Sequence, residues 1–167
     1  MSIFSGYDKV DSYFFIHSMP IDDEVHLLTL PYARYLPPET IGQDLYQKLV
    51  KIRKALIQVL PSFPIMGCTE TAAFLETELG LARIGGHYEG DGEKDLHVWN
   101  CSQDGRFDID LTQQQFEFAS SSIPEISILQ VPNRILVPNL KITQEIEKKQ
   151  LPDELLRRIR ASLADLK

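Results

Sequence analysis

The sequence predicts an α+β domain in which a helix bearing Cys68 packs on an antiparallel sheet. Three observations carry this expectation: a long apolar stripe over residues 39–60, a second helical pattern opening at Gly67-Cys68, and two alternating runs joined by Asp104-Gly105. At 167 residues the chain suits a single domain, 1–167. With 43% hydrophobic and 25% charged residues it has the balance of a soluble globular protein and needs no disulfide or metal staple.

Residues 1–35 are rich in aromatic and β-branched side chains, as in Tyr13-Phe14-Phe15-Ile16 and Val25–Leu30, and are candidate strands closed off by Pro37-Pro38. From Glu39 to Leu60, Ile41, Leu45, Leu49, Ile52, Leu56 and Val59 recur at spacings of three and four, which predicts an amphipathic helix stopped by Pro61 and Pro64. The next helix runs from Gly67-Cys68 to Gly80, a suitable C-cap, with Cys68, Ala72, Leu75 and Leu79 on one face. Residues 81–92 suggest a strand and turn. The clearest hairpin follows: Leu96–Ser102, a turn at Asp104-Gly105, and Arg106–Thr112. Ile126–Val131 and Ile135–Val137 are strands bounded by Pro132 and Pro138, hence at an edge or bend. A C-terminal amphipathic helix over 153–167 carries Leu155, Leu156, Ile159, Leu163 and Leu166 on one side and should dock on the core.

With Asp104 and Gly105 as turn residues, His97 lies opposite Thr112 and Trp99 opposite Asp110, so His97 and Asp110 are diagonal neighbours on one face. That face presents His97, Trp99, Cys101, Asp108, Asp110 and Thr112. The other carries Leu96, Val98, Phe107, Ile109 and Leu111, with Asn100 as its polar member, expected to bond backbone near the turn. A one-residue slip would separate His97 from Asp110.

A cysteine on the first turn of a helix meets the positive end of the helix dipole and unpaired N–H groups, which favour a thiolate and can receive a developing oxyanion. A histidine held by a carboxylate keeps its tautomer while it shuttles a proton. Cys68 as nucleophile, His97 as general base and then acid, and Asp110 as orienter therefore suit acyl transfer. Asp108 competes for the orienting role, with Asp110 favoured as the head of Asp-Leu-Thr.

Cysteine before His-Val-Trp and then Asp-Leu-Thr resembles the transglutaminase-like and papain-like cysteine hydrolase group. More closely, Gly67-Cys68, His97-Val98-Trp99-Asn100, Asp104-Gly105, Asp108–Thr112 and Gln115-Phe116 resemble the small bacterial YunG-like family. The resemblance covers a motif-bearing core of about 65–116 and implies a papain-like or transglutaminase-like fold with cysteine-dependent amide chemistry. Papain-like enzymes often place a glutamine upstream of the cysteine as a second oxyanion donor, and the nearest here is Gln58, within the first predicted helix.

These readings give a thiol-dependent amide hydrolase or acyltransferase (protease, amidase, deamidase or transglutaminase-like) acting on a peptide, a protein side-chain amide or a small amide. The alternative is a non-catalytic binding or interaction protein on the same fold with a vestigial triad and a protein partner. No cofactor is implied. Cys101 has no partner at metal spacing and reads as structural, and His17, His26 and His87, the last in a loop, form no zinc pattern. A net charge of −7 argues against nucleic acid or an anionic membrane surface as partner. The basic residues in 48–54 and 148–160 read as solvated helix faces. Two cysteines without a disulfide framework, no signal sequence and no apolar run near ~18 residues suggest the cytoplasm.

Overall fold

The first long helix begins where glycine allows the chain to turn. Pro38–Ile41 form a 3-10 turn, Gly42 takes φ 84°, and helix α1 then runs Gln43–Val59. The helix therefore starts four residues later than the expected Glu39: the apolar stripe extends back to Ile41, but the backbone at Gly42 leaves the helical region. The computed structural model describes residues 34–90, 94–116 and 123–166. The candidate strands in 1–33, with His17 and His26, lie outside them.

Helix α2 spans Cys68–Leu79 between two left-handed glycines, Gly67 and Gly80. Strands β1 (Ala82–Tyr88), β2 (Asp95–Cys101), β3 (Phe107–Asp110), β4 (Ser127–Gln130) and β5 (Leu136–Pro138) form an antiparallel sheet in the order β4-β3-β2-β1-β5. Both proline-bounded strands take the edges, where a missing N–H costs no ladder bond. Helix α3 (Leu140–Glu147) and helix α4 (Asp153–Asp165) complete the described chain. The molecule is thus α+β, and no described helix is long and apolar enough to cross a membrane.

The β2–β3 register pairs Asn100 with Ile109 and Cys101 with Asp108, as the two-residue turn at Asp104-Gly105 predicts. Ser102 N–H donates to Phe107 O at 2.8 Å, and Gly105 has φ 72°. The same register puts Ile109, Leu111 and Ile128 on the helical side of the sheet. There they join Leu49, Leu56, Phe74, Leu75 and Ile159 in the main core cluster.

The face bearing His97, Trp99, Cys101, Asp108, Asp110 and Thr112 is buried throughout, because Trp99 and Cys101 join Ile84, Tyr88, Phe116, Leu129 and Leu136 in a second cluster. Two expectations need correction. Leu96, the second residue of β2, is 68% exposed rather than core. His87 is a strand residue paired with Leu96 and Val137, not a loop residue. Helix α3 had no counterpart in the sequence reading. Asn139 caps it by accepting from Ile142 N, and Thr143 Oγ1 bonds both backbone groups of Gly85, docking the helix on β1.

Candidate active site

Cys68 owes its place to Gly67. At φ 108° the glycine turns the chain from the 61–66 loop into α2, and a Cβ there would sit 3.2 Å from Leu60 Cδ1. Cys68 is the first residue of the helix and half-buried. No side chain caps this end, and the first intrahelical bond runs from Thr71 N to Gly67 O. The N–H groups of Cys68, Thr69 and Glu70 therefore precede the helical ladder and point at the helix mouth.

Asn100 fixes α2 against β2. Its amide donates to Ala72 O at 3.0 Å and to Leu81 O at 3.1 Å. These are backbone groups, as expected, but they belong to α2 and the α2–β1 junction rather than to the turn. One buried amide thus ties the cysteine's helix to the histidine's strand.

His97 on β2 is wholly buried, and its Nε2 lies 2.5 Å from Asp110 Oδ2 at the end of β3. The other carboxylate oxygen, Oδ1, accepts Thr112 N–H at 2.7 Å and Thr112 Oγ1–H at 2.8 Å. Asp-Leu-Thr thus folds back on itself and leaves Oδ2 aimed at the imidazole. Trp99 flanks the ring at 6.0 Å between centroids and Phe116 meets it edge-on at 4.9 Å. Gly86, opposite His97 in the sheet, makes room for the indole: a Cβ there would come within 2.8 Å of Trp99 Cη2 and 2.1 Å of Val137 O.

Asp108 has a different task. It accepts Trp99 Nε1–H at 2.8 Å and Asn133 Nδ2–H at 2.6 Å, and Asn133 Oδ1 in turn accepts Ile135 and Leu136 N–H groups. The carboxylate anchors Trp99 and the 133–136 loop, and Asp110 is the one that meets His97.

Burial alone would lower the His97 pKa, but the charge and hydrogen bond of Asp110 outweigh it, and Cys68 adds a hydrogen bond and charge of its own. The result is a pKa raised to about 9. His97 is therefore the ring on which both Asp110 and Cys68 act. Gln115 joins them: its amide nitrogen lies 3.3 Å from His97 Nδ1. In the neutral ring that contact makes Nδ1 the acceptor and Nε2–H the donor to Asp110, the tautomer that can take a proton from a thiol at Nδ1. In the sequence Gln115 stands out only as part of the Gln115-Phe116 motif. Gln58, by contrast, accepts Ser162 Oγ–H on the α1–α4 side and has no part in the site.

Cys101 is 2% exposed, and burial with the nearby Asp108 and Asp104 charges pushes its thiol pKa up. Among the described residues no group of three or more His, Cys, Asp or Glu side chains could hold a metal ion.

The raised His97 pKa has a thermodynamic consequence. A group whose pKa is 6.5 unfolded and about 9 folded adds stability that is fully present below pH 6.5 and is lost as pH climbs through 9. Urea unfolding free energies should fall between pH 6.5 and 9.5, and Asp110→Asn should flatten that slope. A slope unchanged by Asp110→Asn would mean that Asp110 does not hold the proton on His97.

Comparison of the chain with family models, with curated proteins and with solved structures returned no match.

Proposed function

We propose that this chain is a thiol-dependent amide hydrolase or acyltransferase on a papain-like or transglutaminase-like core, with Cys68 as nucleophile, His97 as proton carrier and Asp110 as orienter. The observation that carries it is the convergence of a helix-start cysteine on a buried imidazole whose far nitrogen is 2.5 Å from a fully bonded carboxylate. Nε2 of the ring is held by Asp110, Nδ1 lies 3.3 Å from the Gln115 amide nitrogen, and Cys68 adds a hydrogen bond and charge to the same ring.

The chemistry runs as acyl transfer. Cys68 Sγ, its proton passed to His97 Nδ1, attacks an amide carbon, the C–S bond forms, and the carbonyl π pair moves to oxygen. The N–H groups at the start of α2 receive that oxyanion, and the Gln115 amide stands beside them at the pocket wall. Collapse expels the nitrogen, which takes the Nδ1 proton, and water or an amine acceptor then resolves the thioester. The substrate is a peptide, a protein side-chain amide or a small amide, met in a reducing cytoplasm.

Timed labelling with iodoacetamide at pH 7 tests this reading. Cys68 should label at least tenfold faster than Cys101, and His97→Ala should slow Cys68 without touching Cys101. Equal rates at both cysteines, indifferent to His97, would leave a binding protein with a vestigial triad.

A further inference from the structure

Cys68 opens onto a pocket of about 550 Å³, within the range of small-ligand sites. Among the described residues its walls come from four separate stretches: Leu60–Ser62 just past α1, the 65–70 segment that carries the nucleophile, Gln115, and Leu155 on α4. Ile65 and Met66, the two residues before Gly67-Cys68, are 71% and 68% exposed. Large apolar side chains in sequence, held in water at the lip of a reactive site, are what a substrate's apolar group would cover. Methionine adapts its shape to such a group. Among the described residues Glu70 is the one charged side chain of the lining, and it is negative.

Resting on the acyl-transfer reading, we infer that this pocket selects amides whose acyl part carries a large apolar side chain and no carboxylate beside the scissile bond. Leu60, Ile65, Met66 and Leu155 supply the apolar wall, and Glu70 repels an acidic group. Of the substrate classes open to such a triad, peptide bonds following leucine-, methionine- or phenylalanine-like residues fit. A glutamine side-chain amide fits less well, because its acyl part is two methylenes leading to a peptide backbone rather than a large apolar side chain, and that backbone's polar groups would be desolvated against Leu60, Ile65, Met66 and Leu155.

The chemistry in the test is the acylation half-reaction. Sγ bonds to the ester carbonyl carbon, the ester C–O bond breaks, and p-nitrophenolate leaves with the electron pair and is read by absorbance. The probes are p-nitrophenyl esters of N-acetyl-glycine, N-acetyl-leucine, N-acetyl-phenylalanine and N-acetyl-aspartate, with mass spectrometry to place the acyl group on Cys68. The leucine and phenylalanine esters should acylate Cys68 at least tenfold faster than the glycine ester, since burying one such side chain suffices for one to two orders of magnitude. The aspartate ester should be slower than glycine, and Glu70→Gln should narrow that gap. Ile65→Ser and Met66→Ser, both at exposed positions that the core does not use, should shrink the leucine-to-glycine ratio within each variant, which serves as its own control.

A leucine-to-glycine ratio near one, with Cys68 still labelled by iodoacetamide in a His97-dependent way, would overturn the pocket inference and leave the triad standing. No selective Cys68 labelling by any reagent would remove the acyl-transfer reading beneath it.

Discussion

Replacing Asp110 by alanine should lower the unfolding free energy by about 3–5 kcal/mol and slow iodoacetamide labelling of Cys68 at least tenfold. The stability loss follows from burial. His97 is 0% and Asp110 2% exposed, so the alanine leaves an imidazole and two Thr112 donors facing a cavity without an acceptor. The reactivity loss follows from the same carboxylate. Without it the ring loses both the charge that favours imidazolium and the bond that fixes Nε2–H, so Nδ1 no longer stands ready for the Cys68 proton. Asp110→Asn separates the two effects. The amide keeps the shape and can still accept from Thr112, so stability should fall less, while labelling should slow nearly as much as with alanine. Urea denaturation and timed mass spectrometry on the same preparations read both. Full labelling rates in Asp110→Asn would detach Asp110 from the reactivity of Cys68.

How much of this site was legible in the sequence depends on how local each cue is. Asp104-Gly105 between alternating runs sets the β2–β3 register within a few residues, and from that register the meeting of His97 and Asp110 follows by counting. Gly67 before an apolar stripe placed Cys68 on the first helical turn for the same reason. What alternation cannot tell is whether the second face of a sheet is covered. The face with His97, Asp108 and Asp110 is polar by alternation, yet its charges are consumed internally by Trp99, Thr112 and Asn133 and the face is buried. The Asn133 contact spans 25 residues and left no spacing signal.

Helix α3 illustrates a different loss. Asn139 followed by Ile142 and Ile146 is a cap with two apolar positions, a pattern too short to stand out over eight residues. What stabilises it is tertiary: Gly85 lacks the Cβ that would meet Ile142 Cγ2 at 2.7 Å, and Thr143 bonds that glycine's backbone. Gly42 was legible in principle, since a glycine inside a helical pattern marks a possible boundary, but the regular apolar stripe spoke more loudly.

Removing residues 151–167 should destabilise the protein by several kcal/mol, on the order of burying three or four leucine-sized side chains. Ile159 is wholly buried in the main cluster, and Leu151, Leu155, Leu156, Leu163 and Leu166 pack against it. Polar contacts also tie α4 down: Arg160 to Glu78 at 2.6 Å and Ser162 Oγ–H to Gln58 at 2.6 Å. These lie at the surface, where such a pair contributes about 0–1 kcal/mol, so the apolar seam decides the docking. Point variants rank the two: Ile159→Ala should cost about 2–5 kcal/mol through the lost side chain and its cavity, and Arg160→Ala less than about 1 kcal/mol. Denaturant midpoints on the full chain and these variants make the comparison. Because Leu155 also lines the pocket at Cys68, the truncation should weaken the preference for apolar esters as well as the fold. A truncated chain with an unchanged midpoint would mean that the apolar face of α4 serves a partner rather than this core.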